Sequence, residues 1–179
     1  MQVIFKTIIC MKRIILLLLL VFAVSAHAQI QRKFYNFTFG LTQKSQVYNY
    51  FKAKGNRIRN IDDNTIAVND VKFGGFDWGV SYFSFYNNKF YQVYFMSSEH
   101  DMIKESLDEQ WELLNIKIST KYSDYIVANM SSEKVKYFLD SKTVMKLEYA
   151  FFQGTWALSV VYYDDKLFNL KASNEDDEL

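Results

Sequence analysis

The sequence predicts an α+β domain, with one or more antiparallel sheets and two main helices packed on one face. Three observations support this class. Runs that alternate between apolar and polar side chains follow one another along the chain, separated by short turn sequences. Only two segments have the three-to-four-residue apolar spacing of an amphipathic helix. Strands that follow one another with few intervening helices favour antiparallel pairing.

The first part of the chain predicts a strand and then a helix. Residues 32–39 are rich in aromatic side chains that alternate, which is typical of a strand. A helix is expected over 42–54, because Thr42 can cap its first turn and Gly55 suits the position after its last turn.

Strands are predicted next. Short strands are expected at 65–68 and 71–74, on either side of Asn69-Asp70. A longer hairpin is expected from 79–86 and 89–96, because Asn87-Asn88 tolerates the positive φ angles of a two-residue turn.

The second half predicts another helix followed by strands. Ser98 to Asp101 forms an S-x-x-D capping pattern, so we expect a helix from Asp101 onwards. Its apolar stripe comprises Ile103, Leu107, Trp111, Leu114 and Ile118. Residues 134–140 indicate a strand or a helical turn, and 143–151 and 155–163 indicate strands. The order of elements in 34–97 and 101–163 is similar, which raises the possibility of a tandem helix-plus-three-strand repeat.

The N-terminus has the pattern of a signal peptide, residues 1–28. Lys12 and Arg13 precede an apolar run, Ala26-His27-Ala28 is a cleavage signal, and Met11 is the better start. The 179-residue chain has 21 basic and 20 acidic residues. Removing 1–28 takes away Lys6, Lys12 and Arg13, which leaves 18 basic and 20 acidic residues and a net charge of −2. We therefore predict a single domain over 29–171 and an acidic flexible tail over 172–179, with no stable membrane span after cleavage and no nucleic-acid partner.

A family resemblance rests on two short motifs. Gly40-Leu41-Thr42 opens a helix that carries Val47, and the second helix ends in Lys121-Tyr122 before three strands. In these features the chain resembles the small α+β envelope modules of the BamE and β-lactamase-inhibitor-protein kind. It also resembles secreted proteins of unknown function from the Bacteroidota. The resemblance covers most of 34–163 in pattern only. It implies a partner-binding role without naming the partner.

The candidate catalytic chemistry centres on His100, the single histidine of the predicted mature chain. A hydrolase would combine it with Ser97, Ser98, Glu99 or Asp101, but neighbours in sequence point in different directions, and helix capping explains them as well. We therefore predict no catalytic residue. Neither a metal nor a cofactor is expected, because the mature chain has no cysteine and its Asp-rich turns lack a metal-loop spacing.

The aromatic content is the most informative feature. The predicted mature chain has 30 aromatic residues among 151, and both faces of the 79–96 hairpin are bulky. A sheet covered on one side should be mostly polar on the other, and tyrosine is enriched at interfaces. Either other segments cover the second face, or it binds a partner. The candidate binding residues are Phe76, Trp78, Tyr82, Tyr86, Phe90 and Tyr94.

These observations predict an exported, non-catalytic protein-binding module of the cell envelope or periplasm. Two alternatives remain open. One is a periplasmic hydrolase that uses His100 with nearby carboxylates, and the other is a protein that binds a small apolar ligand between helices and sheet.

Overall fold

The computed structural model describes residues 29–152 and 154–176, so the predicted signal peptide lies outside the described residues. The helices are α1 (Lys44–Ala53), α2 (Lys104–Lys121) and α3 (Asp165–Asp176). A small hairpin consists of β1 (Lys33–Phe34) and β2 (Phe37–Thr38). The large sheet consists of β3 (Ile58–Asp62), β4 (Thr65–Phe73), β5 (Phe76–Tyr86), β6 (Lys89–Ser98), β7 (Val135–Leu139), β8 (Thr143–Phe152) and β9 (Thr155–Asp164). This arrangement confirms the α+β class.

The large sheet is antiparallel throughout, with the strand order β3-β4-β5-β6-β9-β8-β7. Its first four strands form one meander and its last three form another. The two meanders join where β6 pairs with β9, with Phe95 opposite Val160. Each meander follows one helix, but the first has four strands rather than three, so the tandem repeat stays a prediction.

Helices α1 and α2 pack on the same face of the sheet, which we call the covered face. The Phe51 ring of α1 lies 5.1 Å from Phe83, and the Trp111 ring of α2 lies 5.9 Å from Tyr149. The β1–β2 hairpin also contributes to this core: the fully buried Phe34 has its ring centre 4.9 Å from that of Tyr162. Much of the aromatic surplus therefore fills the hydrophobic core.

The Asn87-Asn88 turn confirms the predicted β5–β6 hairpin. Both asparagines have positive φ angles, 49° and 58°, as a type I′ turn requires. Gly55, with φ 77°, follows the C-cap of α1 as predicted.

Three predicted boundaries are wrong for local reasons. Residues 32–39 form a tight hairpin instead of one strand, because Tyr35 adopts φ 56° and reverses the chain. Strand β4 is continuous, because Asn69 and Val71 both stay paired with β5, although Asp70 between them has φ 55°. Helix α2 begins at Lys104, because the Asp101 carboxylate accepts hydrogen bonds from the Ser98 N–H (2.8 Å) and hydroxyl (3.0 Å) and closes a separate turn.

The C-terminal segment also differs from the prediction. We expected a flexible tail from residue 172, but α3 continues to Asp176. The start of this helix is stabilised by Asp164, whose Oδ1 accepts the Leu167 N–H at 2.9 Å in the manner of an N-cap. Helix α3 therefore includes residues 172–176 of the predicted tail, and the flexibility of that tail stays a prediction.

Candidate functional site

The candidate site lies on the sheet face opposite α1 and α2, which we call the open face. Tyr82 of β5 and Tyr94 of β6 are direct neighbours there, with ring centres 5.8 Å apart at 45°. Successive side chains of a strand point to opposite faces, so the adjacent Phe83 and Phe95 enter the core. Both tyrosines are half-buried.

A groove of about 470 Å³ crosses the open face beside these two rings, and we call it the tyrosine groove. Its lining includes Tyr82, Tyr94, Met96, His100, Phe152 and Thr155. Phe152, at the end of β8, is 65% exposed, and the adjacent Phe151 is 61% exposed. The groove thus combines half-buried tyrosines with a phenylalanine that is mostly in water.

The hydroxyl of Tyr94 is a hydrogen-bond donor at neutral pH. Burial raises the pKa of Tyr94, and this effect outweighs the hydrogen bond from Ser159, which acts to lower it. The hydroxyl lies 3.6 Å from the Met96 sulfur, which is a weak acceptor.

An ion pair lies further along the same face, on β8. The Lys146 ammonium donates to Glu148 at 2.7 Å and lies 5.6 Å from the ring centre of Tyr137. Burial alone would lower the pKa of Lys146, but the hydrogen bond and negative charge of Glu148 raise it. The Lys146 ammonium therefore stays protonated at neutral pH.

Helix α3 covers one end of the open face. The Phe168 ring is tilted by 34° against the Tyr163 ring of β9, with the ring centres 4.6 Å apart, and the Asn174 side chain donates a hydrogen bond to the Tyr86 hydroxyl. Tyr86 is therefore on the predicted face but lies under the C-terminal helix, outside the tyrosine groove.

Three other predicted residues lie elsewhere. Trp78 and Phe90 are 1% and 0% exposed, so they lie in the core and the prediction that they form part of a binding surface is wrong. Trp78 turns inward, where its indole N–H donates to the Phe73 carbonyl at 3.1 Å. A register shift in the β5–β6 pairing leaves Phe90 in the core. Phe76 is half-buried against the core, below the Lys117 ammonium.

The groups around His100 are held in structural contacts. Ser98 bonds to Asp101, and Ser97 donates to the Asp77 carbonyl at 3.3 Å. Glu99 accepts the Trp156 N–H at 2.8 Å. His100 is exposed, and in the described chain no hydrogen bond joins its imidazole to these side chains.

Sequence reasoning missed part of the groove lining. Met96 could have been placed beside Tyr94 by strand alternation. Phe152 and Thr155 could not, because they reach the groove only through the pairing of β9 with β6, which no local pattern encodes.

The described residues contain neither a metal-ligand cluster nor a helix that could span a membrane. Over 29–152 and 154–176, no three or more His, Cys, Asp or Glu side chains are grouped where they could hold a metal ion. Within the same ranges, no helix combines the length and apolar character needed to cross a bilayer.

Comparison of the chain with protein-family models, curated proteins and solved structures finds no match. The resemblance to BamE and β-lactamase-inhibitor-protein modules therefore stays a prediction.

Proposed function

We propose that this protein is an exported, non-catalytic protein-binding module of the cell envelope or periplasm. The tyrosine groove is its binding site. The observation that carries the proposal is the presence of Tyr82, Tyr94 and the exposed Phe152 in one groove, on a part of the open face that α3 does not cover.

The chemistry of this groove favours a protein partner. Tyrosine rings offer large apolar area with little side-chain entropy to lose, and their hydroxyls keep the unbound surface hydrated. The Lys146–Glu148 pair lies on the same face, with side chains 25% and 30% exposed, and resembles the polar rim of an interface. We expect the partner to insert an apolar side chain beside Phe152 and to accept a hydrogen bond from Tyr94.

Two further observations support the rest of the proposal. The signal-peptide pattern of residues 1–28 supports export. The structural contacts of Ser97, Ser98, Glu99 and Asp101 support a non-catalytic role, because these are the groups that a His100-based hydrolase would use.

The proposal is tested by affinity capture with the mature chain, 29–179, as bait. Tyr82→Ser and Tyr94→Ser should each lose a protein that the unmodified chain captures, while keeping a cooperative unfolding transition. Tyr48→Ser is the matched control, because Tyr48 is a half-buried tyrosine on α1. Equal capture by all four baits would reject the groove as the binding site.

A further inference from the structure

A second cavity lies on the covered side of the sheet, separate from the tyrosine groove. It has a volume of about 310 Å³ and opens between α2, the β4–β5 hairpin and the N-terminal segment. We call it the helix–sheet cavity. Its apolar lining is formed by Phe73, Trp78, Leu114, Ile118, Val160 and Tyr162.

The polar groups at this cavity include two cations. Lys117 and Lys121, one turn apart on α2, belong to its lining and are exposed. No carboxylate belongs to the lining as the structure describes it. The described chain also places no carboxylate within ion-pair distance of either ammonium.

The contacts that these lysines do make are weak competitors for an anion. The Lys117 ammonium donates to the Gly74 carbonyl at 2.8 Å, at the tip of the hairpin. The Lys121 ammonium lies 4.8 Å from the ring centre of Tyr122. A carboxylate is a stronger partner than a carbonyl or a ring, because its full charge strengthens the hydrogen bond.

Two phenols add further polar groups. Burial raises the pKa of Tyr162, and the nearby Tyr122 adds to the effect, so the hydroxyl stays neutral. The Tyr122 oxygen accepts the Gln31 N–H at 3.3 Å, which fixes the N-terminal segment at the cavity wall.

We propose that the helix–sheet cavity binds a small amphipathic carboxylate, whose apolar chain or ring enters the cavity and whose carboxylate pairs with Lys117 and Lys121. The size is suitable, because an apolar cavity of about 150 Å³ accepts benzene and ligand pockets begin near 300 Å³. The site is independent of the tyrosine groove, so either proposal can fail without the other.

The test compares decanoate with decanol, which has the same chain without the charge, by isothermal titration calorimetry. We expect decanoate to bind at least about tenfold more tightly than decanol. Lys117→Gln with Lys121→Gln should remove most of this preference and leave decanol affinity nearly unchanged. Lys166→Gln, an exposed lysine outside the lining, is the charge-matched control and should have no effect.

Cavity-filling variants test where the chain binds. Leu114→Trp should weaken both ligands, and Ile118→Phe is the second variant in case the first fails to unfold cooperatively. Tyr94→Ser should leave both affinities unchanged. The proposal is overturned if decanoate shows no saturable binding, if decanol binds equally well, if the lysine variants match the control, or if only Tyr94→Ser weakens binding.

Discussion

The covered face and the open face of the large sheet differ in the aromatic side chains that the same two strands place on them. On β5 and β6, Phe83 and Phe95 point into the core and are 0% exposed, whereas Tyr82 and Tyr94 point to the open face and are half-buried. On the covered side, the Tyr149 hydroxyl donates to Asp108. At these four positions the phenylalanines fill the core, and the tyrosines lie where their hydroxyls can meet water.

The largest expected effect is on the covered face. Phe95→Ala should destabilise the fold by about 3–5 kcal/mol, because it leaves a cavity where the ring now stacks 4.3 Å from Phe73. Urea denaturation measures the free energy of unfolding. Tyr94→Ser, the neighbouring change on the open face, should cost less than half as much, and equal costs would contradict the difference between the faces.

A smaller effect is expected where β5 passes the turn before α2. An added methyl at Gly79 would lie 2.2 Å from the Asp101 carboxylate, so Gly79→Ala should cost about 1–3 kcal/mol. The same change should cost much less in an Asp101→Ala background, because the clash is then absent. Additive costs in the double-mutant cycle would show that the contact is not the cause.

The rim of the covered face has a pH-dependent contact. Hydrogen bonds from Lys104 and Tyr149 hold the pKa of Asp108 below its ordinary 3.8. A lowered folded-state pKa adds stability that is complete above the unfolded value and is lost as pH falls through the folded value. Asp108→Asn should therefore be less stable than the unmodified chain at pH 7, and the gap should close as the pH falls through the lowered pKa of Asp108. A gap that is constant with pH would refute this linkage.

The smallest effect on stability is expected on the open face at Phe152. Because this ring is 65% exposed, Phe152→Ser should change the free energy of unfolding by no more than about 0.5 kcal/mol. Partner capture should nevertheless be lost. A large loss of stability would show that Phe152 supports the fold and would remove it from the proposed interface.

Local patterns in the sequence predict the elements that rest on local rules. The Asn87-Asn88 turn and the buried stripe of Leu107, Trp111, Leu114 and Ile118 follow from backbone preference and periodicity. The prediction that Ile103 belongs to this stripe is wrong, because Ile103 precedes the helix and is 68% exposed. Asp164 and Asp165 directly follow a strand, where an acidic pair is as typical of a turn as of the N-cap that Asp164 forms.

The candidate sites depend on long-range pairing, which periodicity does not encode. Alternation places Tyr82 and Tyr94 on one face, but the bulge that turns Phe90 inward has no distinct signal in the sequence. The helix–sheet cavity joins Gln31, Trp78 and Lys117 across three separate segments. Only the folded chain brings them together.

Site-specific photo-crosslinking tests the central claim most directly. A photoreactive phenylalanine derivative at position 82, on the open face, is compared with the same group at position 48, on α1. The account predicts a crosslinked protein adduct from position 82 alone, which disappears when Phe152→Ser is added. No adduct from position 82, or the same adduct from both positions, would contradict the assignment of the open face as a binding surface.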